Sequence, residues 1–132
     1  MEALLAADTN VRVVYREWPI LGEGSVFAAR AALASRSQDK YEEFHWAMMG
    51  LKERATEASV LRVAQEIGLD IAQLRQDMDG SEIDEHIETS MRLSRAIGFS
   101  GTPSFVIGDN LAPGLIQADE MIRLVDQARA AD

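Results

Sequence analysis

A period of three to four residues dominates the hydrophobic pattern, interrupted near each end by a short β-branched run. The opening MEALLAAD is built of strong helix formers and stops at the polar Asp8-Thr9-Asn10, which predicts a short helix with no capping residue in front of it. VRVVYREW then sets Val11, Val13 and Tyr15 against Arg12, Val14 and Arg16. That alternation predicts a strand from Val11 to about Glu17, closed by Pro19.

A helical block follows. Alanine-rich SVFAARAALASR predicts a helix from Ser25 to about Arg36, and Tyr41, Phe44, Met48 and Leu51 continue at helical spacing after Gln38. Glu57 to Ile67 places Val60, Leu61, Val63, Ala64 and Ile67 on a helix that Gly68 stops. Asp70 reads as the N-cap of IAQLRQDMD. A longer helix is expected from about Ser81, its cap, to Ile97, with Ile83, Ile87, Met91 and Ile97 near one face and Gly98 as the stop. After Pro103, SFVIG predicts a strand and Asp109-Asn110 a turn. A second short strand around Gly114 to Ile116 is expected to return antiparallel, before a closing helix from Asp119 to Ala130.

A chain of 132 residues, 47% hydrophobic and 27% charged, suffices for one compact domain with a core. Its charge of −9 comes without any clustering of Lys or Arg, which argues against nucleic acid and anionic membrane as partners. No apolar run approaches the ~20 residues of a membrane span, and the N-terminus has no secretory-signal pattern. Zero cysteines exclude disulfides, thiolate metal sites and cysteine nucleophiles at once.

Several motifs invite chemistry that their context refuses. In LGEGSVFA, Gly22 and Gly24 open a helix after a strand, as a dinucleotide-binding turn would. Phe27 stands at the third glycine position, however, and Glu23 would face a pyrophosphate with the wrong charge, so a helix-opening loop is the reading. GFSGT around Ser100 lacks the second glycine of a nucleophile elbow and precedes a strand rather than following one. His45 and His86 lie in no metal-binding spacing and read as helix-surface or boundary residues. In DMDGSEIDE, aligning Gly80 with the invariant glycine of a calcium loop puts Arg75 at the first ligand, so Glu82 and Asp84 read instead as favourable charge in a helix first turn. Trp46, Met48 and Met49, at helical spacing, read as core.

There remains GTPSFVIGD, with a proline at the mouth of a strand. Proline cannot donate to a sheet, so it sits on an edge or holds a turn there. GTPSFVIGDNLAPG, followed by a helix ending DQARAA, resembles the C-terminal half of the DsbA-like thiol-disulfide oxidoreductases, bacterial periplasmic enzymes of the thioredoxin fold. VRVVYREWPILGEGS and the helical stretch around YEEFHWAM resemble the same family, so the resemblance spans essentially the whole chain. It implies a single α/β domain, thioredoxin-like, with a helical insert at residues 22–97 and the remaining core at 1–21 and 98–132. It further implies that Pro103 is the cis-proline beside the active site and that the backbone of Thr102 pairs with a substrate peptide. Substrate proteins or peptides become the expected partners, the periplasm the expected location, and no cofactor or metal is called for.

The departure from the family lies in its C-x-x-C motif, carried at the start of a helix after a strand. MEALLAAD resembles the later turns of that helix, so strand and cysteines are expected before residue 1, and no catalytic residue is assigned within this chain. Two functions stay open: part of a thiol-disulfide oxidoreductase, inactive as it stands, or a non-catalytic module that holds peptides in the same groove. In the family's topology the absent strand lies between Val11–Glu17 and the strand after Pro103. Unpaired backbone on both sides makes self-association a further expectation.

Overall fold

The structure, a computed structural model, describes residues 1–132. Its elements run α1 (Glu2–Ala7), α2 (Glu23–Ala34), a 3-10 turn (Ser35–Gln38), α3 (Tyr41–Met49), α4 (Glu57–Glu66), α5 (Ile71–Met78), α6 (Ser81–Ile97), β1 (Ser104–Ile107), β2 (Asn110–Pro113) and α7 (Ala118–Ala131). They divide into two compact units, one of residues Met1–Tyr15 with Ser94–Asp132 and one of Arg16–Leu93.

The second unit is helical and holds most of the buried apolar surface. Ala29, Ala31, Ala32, Leu33 and Ala34 of α2 form its centre, surrounded by Phe44, Val60, Val63, Leu74, Met78 and Ile83. Small side chains along α2 let neighbouring backbones come close, and the approach is tightest where Gly24 meets the Ala55 carbonyl. Burying a Phe, Leu or Ile side chain contributes about 1.5–3 kcal/mol, so this cluster is what keeps short helices helical.

Polar groups fix the helix ends. Thr56 and Ser59 form a reciprocal capping box at the start of α4, with Ser59 N donating to Thr56 Oγ1 at 3.1 Å and Thr56 N to Ser59 Oγ at 2.8 Å. Asp70 caps α5 by accepting from Gln73 N at 3.0 Å. Its own main chain is clipped at both ends by the Gln38 amide, which accepts from Asp70 N and donates to Asp70 O. Arg30 ties α2 to the C-terminal end of α5 and to α6 through the Met78 carbonyl and the Asp84 carboxylate.

The first unit assembles α1, the β1–β2 hairpin and α7 around buried Leu4, Ala112, Met121 and Leu124. The Arg129 guanidinium spans 121 residues of sequence to grip Asp8 and the Asn10 carbonyl at 2.6–3.2 Å. At the hairpin tip Gly108 has φ +59, and a Cβ there would lie 2.7 Å from the Ala128 side chain, so glycine lets the tip seat on α7.

Four sequence expectations are corrected. Residues 11–17 do alternate between half-buried and exposed, but they form no strand, and the sheet holds β1 and β2 alone. Alternation decides which way side chains point, whereas a strand also needs a neighbour to share its ladder. The returning strand is Asn110–Pro113, not Gly114 to Ile116. Gly108-Asp109 form the two-residue loop, because Gly108 supplies the positive φ that a tight hairpin demands. Ser81 is the first residue of α6 rather than its cap, and Ile83 N donates to the Gly80 carbonyl one position earlier. Met49 is 66% exposed, so it is not core.

Candidate functional site

The segment around Pro103 is shaped from both sides. Gly98, at φ +85, ends α6 with its N–H and that of Phe99 both donating to the Ser94 carbonyl, at 3.0 and 2.9 Å. The Ser104 hydroxyl then donates to the Gly101 carbonyl at 2.6 Å and closes a tight loop over the two intervening residues. Those residues are Thr102 and Pro103. Both are exposed, and the peptide bond between them is cis.

Register decides what lies beyond the loop. Ser104 faces Pro113, Phe105 faces Ala112, Val106 faces Leu111 and Ile107 faces Asn110. Pro113 has no N–H, and antiparallel pairs alternate between bonded and non-bonded, so Phe105–Ala112 and Ile107–Asn110 are the bonded pairs. The main-chain groups of Ser104 and Val106 therefore point to the outer edge of β1, where no other strand lies. On the hairpin face opposite buried Ala112, the cross-strand pair Val106 and Leu111 is 57% and 51% exposed. An exposed loop leads directly into an open strand edge flanked by apolar side chains, an arrangement suited to pairing with an extended polypeptide.

The remaining candidates have structural work. Gly22, at φ +86, precedes α2, and Gly24 fits under Ala55, so LGEGS is a helix-opening loop. Ser100 lies in a unit without histidine, which leaves it no imidazole base there. His45, on α3, stacks on Tyr41 with ring centroids 6.1 Å apart, and Tyr41 Oη donates to Glu17 at 2.6 Å. Burial pushes the His45 pKa down against the opposing pull of Glu17 and Glu42. His86, on α6, has its Nε2 buried without a hydrogen-bond partner, and burial, then Arg16 and Arg36, push its pKa down. No group of three or more His, Cys, Asp or Glu side chains converges on a metal-sized site. There is no cysteine.

Sequence reasoning singled out Thr102 and Pro103 but missed the Ser104 clamp and the Val106–Leu111 face. The clamp leaves no signature beyond a serine after proline. The face was latent in the register, since a turn placed one residue late moves every cross-strand pair.

The family model of the DSBA-like thioredoxin domain matches residues 1–126. A thioredoxin-like oxidoreductase from Silicibacter pomeroyi is 56% identical, with a TM-score of 0.98 over 99% of this chain and 76% of its own. The thiol-disulfide exchange protein alpha-DsbA2 from Wolbachia pipientis is 32% identical, with a TM-score of 0.81 over 86% of this chain and 63% of its own. A periplasmic thioredoxin-like protein from Salmonella enterica serovar Typhimurium is 29% identical, with a TM-score of 0.85 over 98% of this chain and 72% of its own. No curated protein sequence matches the chain.

Proposed function

Because the chain belongs to the DSBA-like thioredoxin-domain family, we propose that it presents a substrate-facing surface of a thiol-disulfide exchange protein and carries out no exchange on its own. One observation carries this reading: a chain that matches the family model over residues 1–126 contains no cysteine. Exchange begins with a thiolate attacking a disulfide sulfur, and no other side chain can form the mixed disulfide. A thiol acting at this surface must come from outside these 132 residues. Thr102 and Pro103 are the proposed substrate-contacting residues, and substrate proteins or peptides the proposed partners. The periplasm is the proposed location, following the description of the Salmonella relative.

Insulin reduction and dithiol-peptide oxidation test this directly. The chain is expected to give the rate of buffer alone in both, and turnover above that rate would overturn the assignment.

A second reading, of a module that holds peptides without chemistry, is favoured by the open outer edge of β1 beside exposed Thr102 and Pro103. Titrating an extended apolar peptide should move the amide resonances of Thr102, Ser104 and Val106 more than those of α7. Uniform or absent shifts would count against it.

A further inference from the structure

With no thiol in the chain, all its sulfur lies in six methionine thioethers, and the fold treats them unequally. Met78, on α5, is 5% exposed in the core of the helical unit, and Met121, on α7, is 3% exposed in the first unit. Met1 and Met48 are half-buried, Met48 against the helical core. Met91, on α6, is 41% exposed, whereas Met49, the last residue of α3, is 66% exposed.

Helix geometry explains the contrast on α3. Phe44, Ala47 and Met48 lie at i, i+3 and i+4, and all three pack in the helical core. Met49 stands about 100° further round the helix and faces water. The helix end beneath it is held without its side chain: Gly50 N donates to the Trp46 carbonyl and Leu51 N to the Met48 carbonyl, both at 3.1 Å. On α6, Met91 follows buried Ser90 by one residue and borders the face that Ile83, Ile87, Ser90 and Ser94 bury. An oxygen added to the Met49 sulfur would therefore meet water and break no backbone bond. The same oxygen on Met78 or Met121 would lie buried among apolar side chains, where a polar atom is costly.

We propose that Met49 is the chain's first oxidation site for peroxides and that its conversion leaves the fold intact. The sulfur lone pair attacks one oxygen of hydrogen peroxide, the O–O bond breaks and an S–O bond forms. The thioether gives up two electrons and becomes the sulfoxide, and the other oxygen leaves with both protons as water. Sulfoxide reductases restore the thioether, so the change is reversible. Selectivity comes from access, since Met78 and Met121 meet the oxidant only when the fold around them opens. The site is separate from the Thr102–Pro103 loop and does not depend on the function proposed for it.

Timed exposure to hydrogen peroxide tests the proposal, read by mass spectrometry of proteolytic peptides with fragmentation between Met48 and Met49. Met49 should gain one oxygen first, Met91 should follow more slowly, and Met78 and Met121 should lag Met49 by at least about tenfold. In concentrated urea the rates should converge. Met49→Leu, a change that nearly conserves volume, should lose the fastest uptake. The singly oxidised parent should keep its circular dichroism and its melting temperature. Another methionine oxidised first overturns the proposal. So does a Met49→Leu protein that takes up its first oxygen as fast as the parent, or a singly oxidised parent that has lost helical signal.

Discussion

Replacing Gly24 with alanine sets two opposite expectations against each other. By helix propensity alone the change in the first turn of α2 should stabilise, since alanine is favoured over glycine by up to about 1 kcal/mol. By geometry it should destabilise. A Cβ at residue 24 would lie 1.9 Å from the Ala55 carbonyl oxygen and 2.9 Å from its carbon. Ordinary carbon–oxygen contact begins near 3.3 Å, so the two backbones must separate by more than about 1 Å. No flexible side chain is there to move aside, which puts the cost toward the upper end of the ~1–3 kcal/mol typical of overpacking. Geometry wins by about 2 kcal/mol. For a chain of this length that corresponds to a fall of about 6–12 °C in melting temperature. Gly50→Ala is the control: the nearest atoms to its Cβ are carbonyl oxygens at 3.6 Å, ordinary contact, and its melting temperature should stay close to the parent or rise slightly. Thermal melts by circular dichroism read both. A Gly24→Ala protein that melts at or above the parent would refute the close approach of α2 to Ala55.

Other substitutions probe the remaining supports. Thr56→Ala removes one half of the α4 capping box and should cost about 1 kcal/mol in urea unfolding. Adding Ser59→Ala should cost less than the sum of the two single changes, and strict additivity would mean the box does not act as a unit. His86 and His45 both have pKa values pushed below the ordinary 6.5 by burial, so the folded state binds protons less readily than the unfolded one. Stability should therefore fall as pH drops through 6.5 and level off once both states are protonated, and His86→Gln should remove part of that fall. Urea midpoints measured from pH 7.5 down to about pH 5 decide this, and an unchanged slope in the variant would sink it.

Sequence by itself determined the helices and their order, because each carries its own periodicity and punctuation. Gly68 and Gly98 end helices where a positive φ is needed, and Asp70 begins one by accepting from the free N–H of Gln73. These are local devices, complete within about four residues. Sequence also marked Thr102 and Pro103, and a cysteine count of zero leaves these residues no thiol of their own.

What depended on partners distant in the chain was decided only by tertiary structure. The alternation of residues 11–17 was legible, but whether it joined a sheet was not, since a ladder requires a second strand at hydrogen-bonding distance. The hairpin's register turned on whether Gly108 or Asn110 occupied the loop, and Gly108 is the residue that must also seat against Ala128 on α7. Gly24 read as one glycine of a loop until Ala55, 31 positions away, came within reach of its missing side chain. Local propensities act over a turn of helix, whereas packing, register and exposure are properties of residues that only the folded chain brings together.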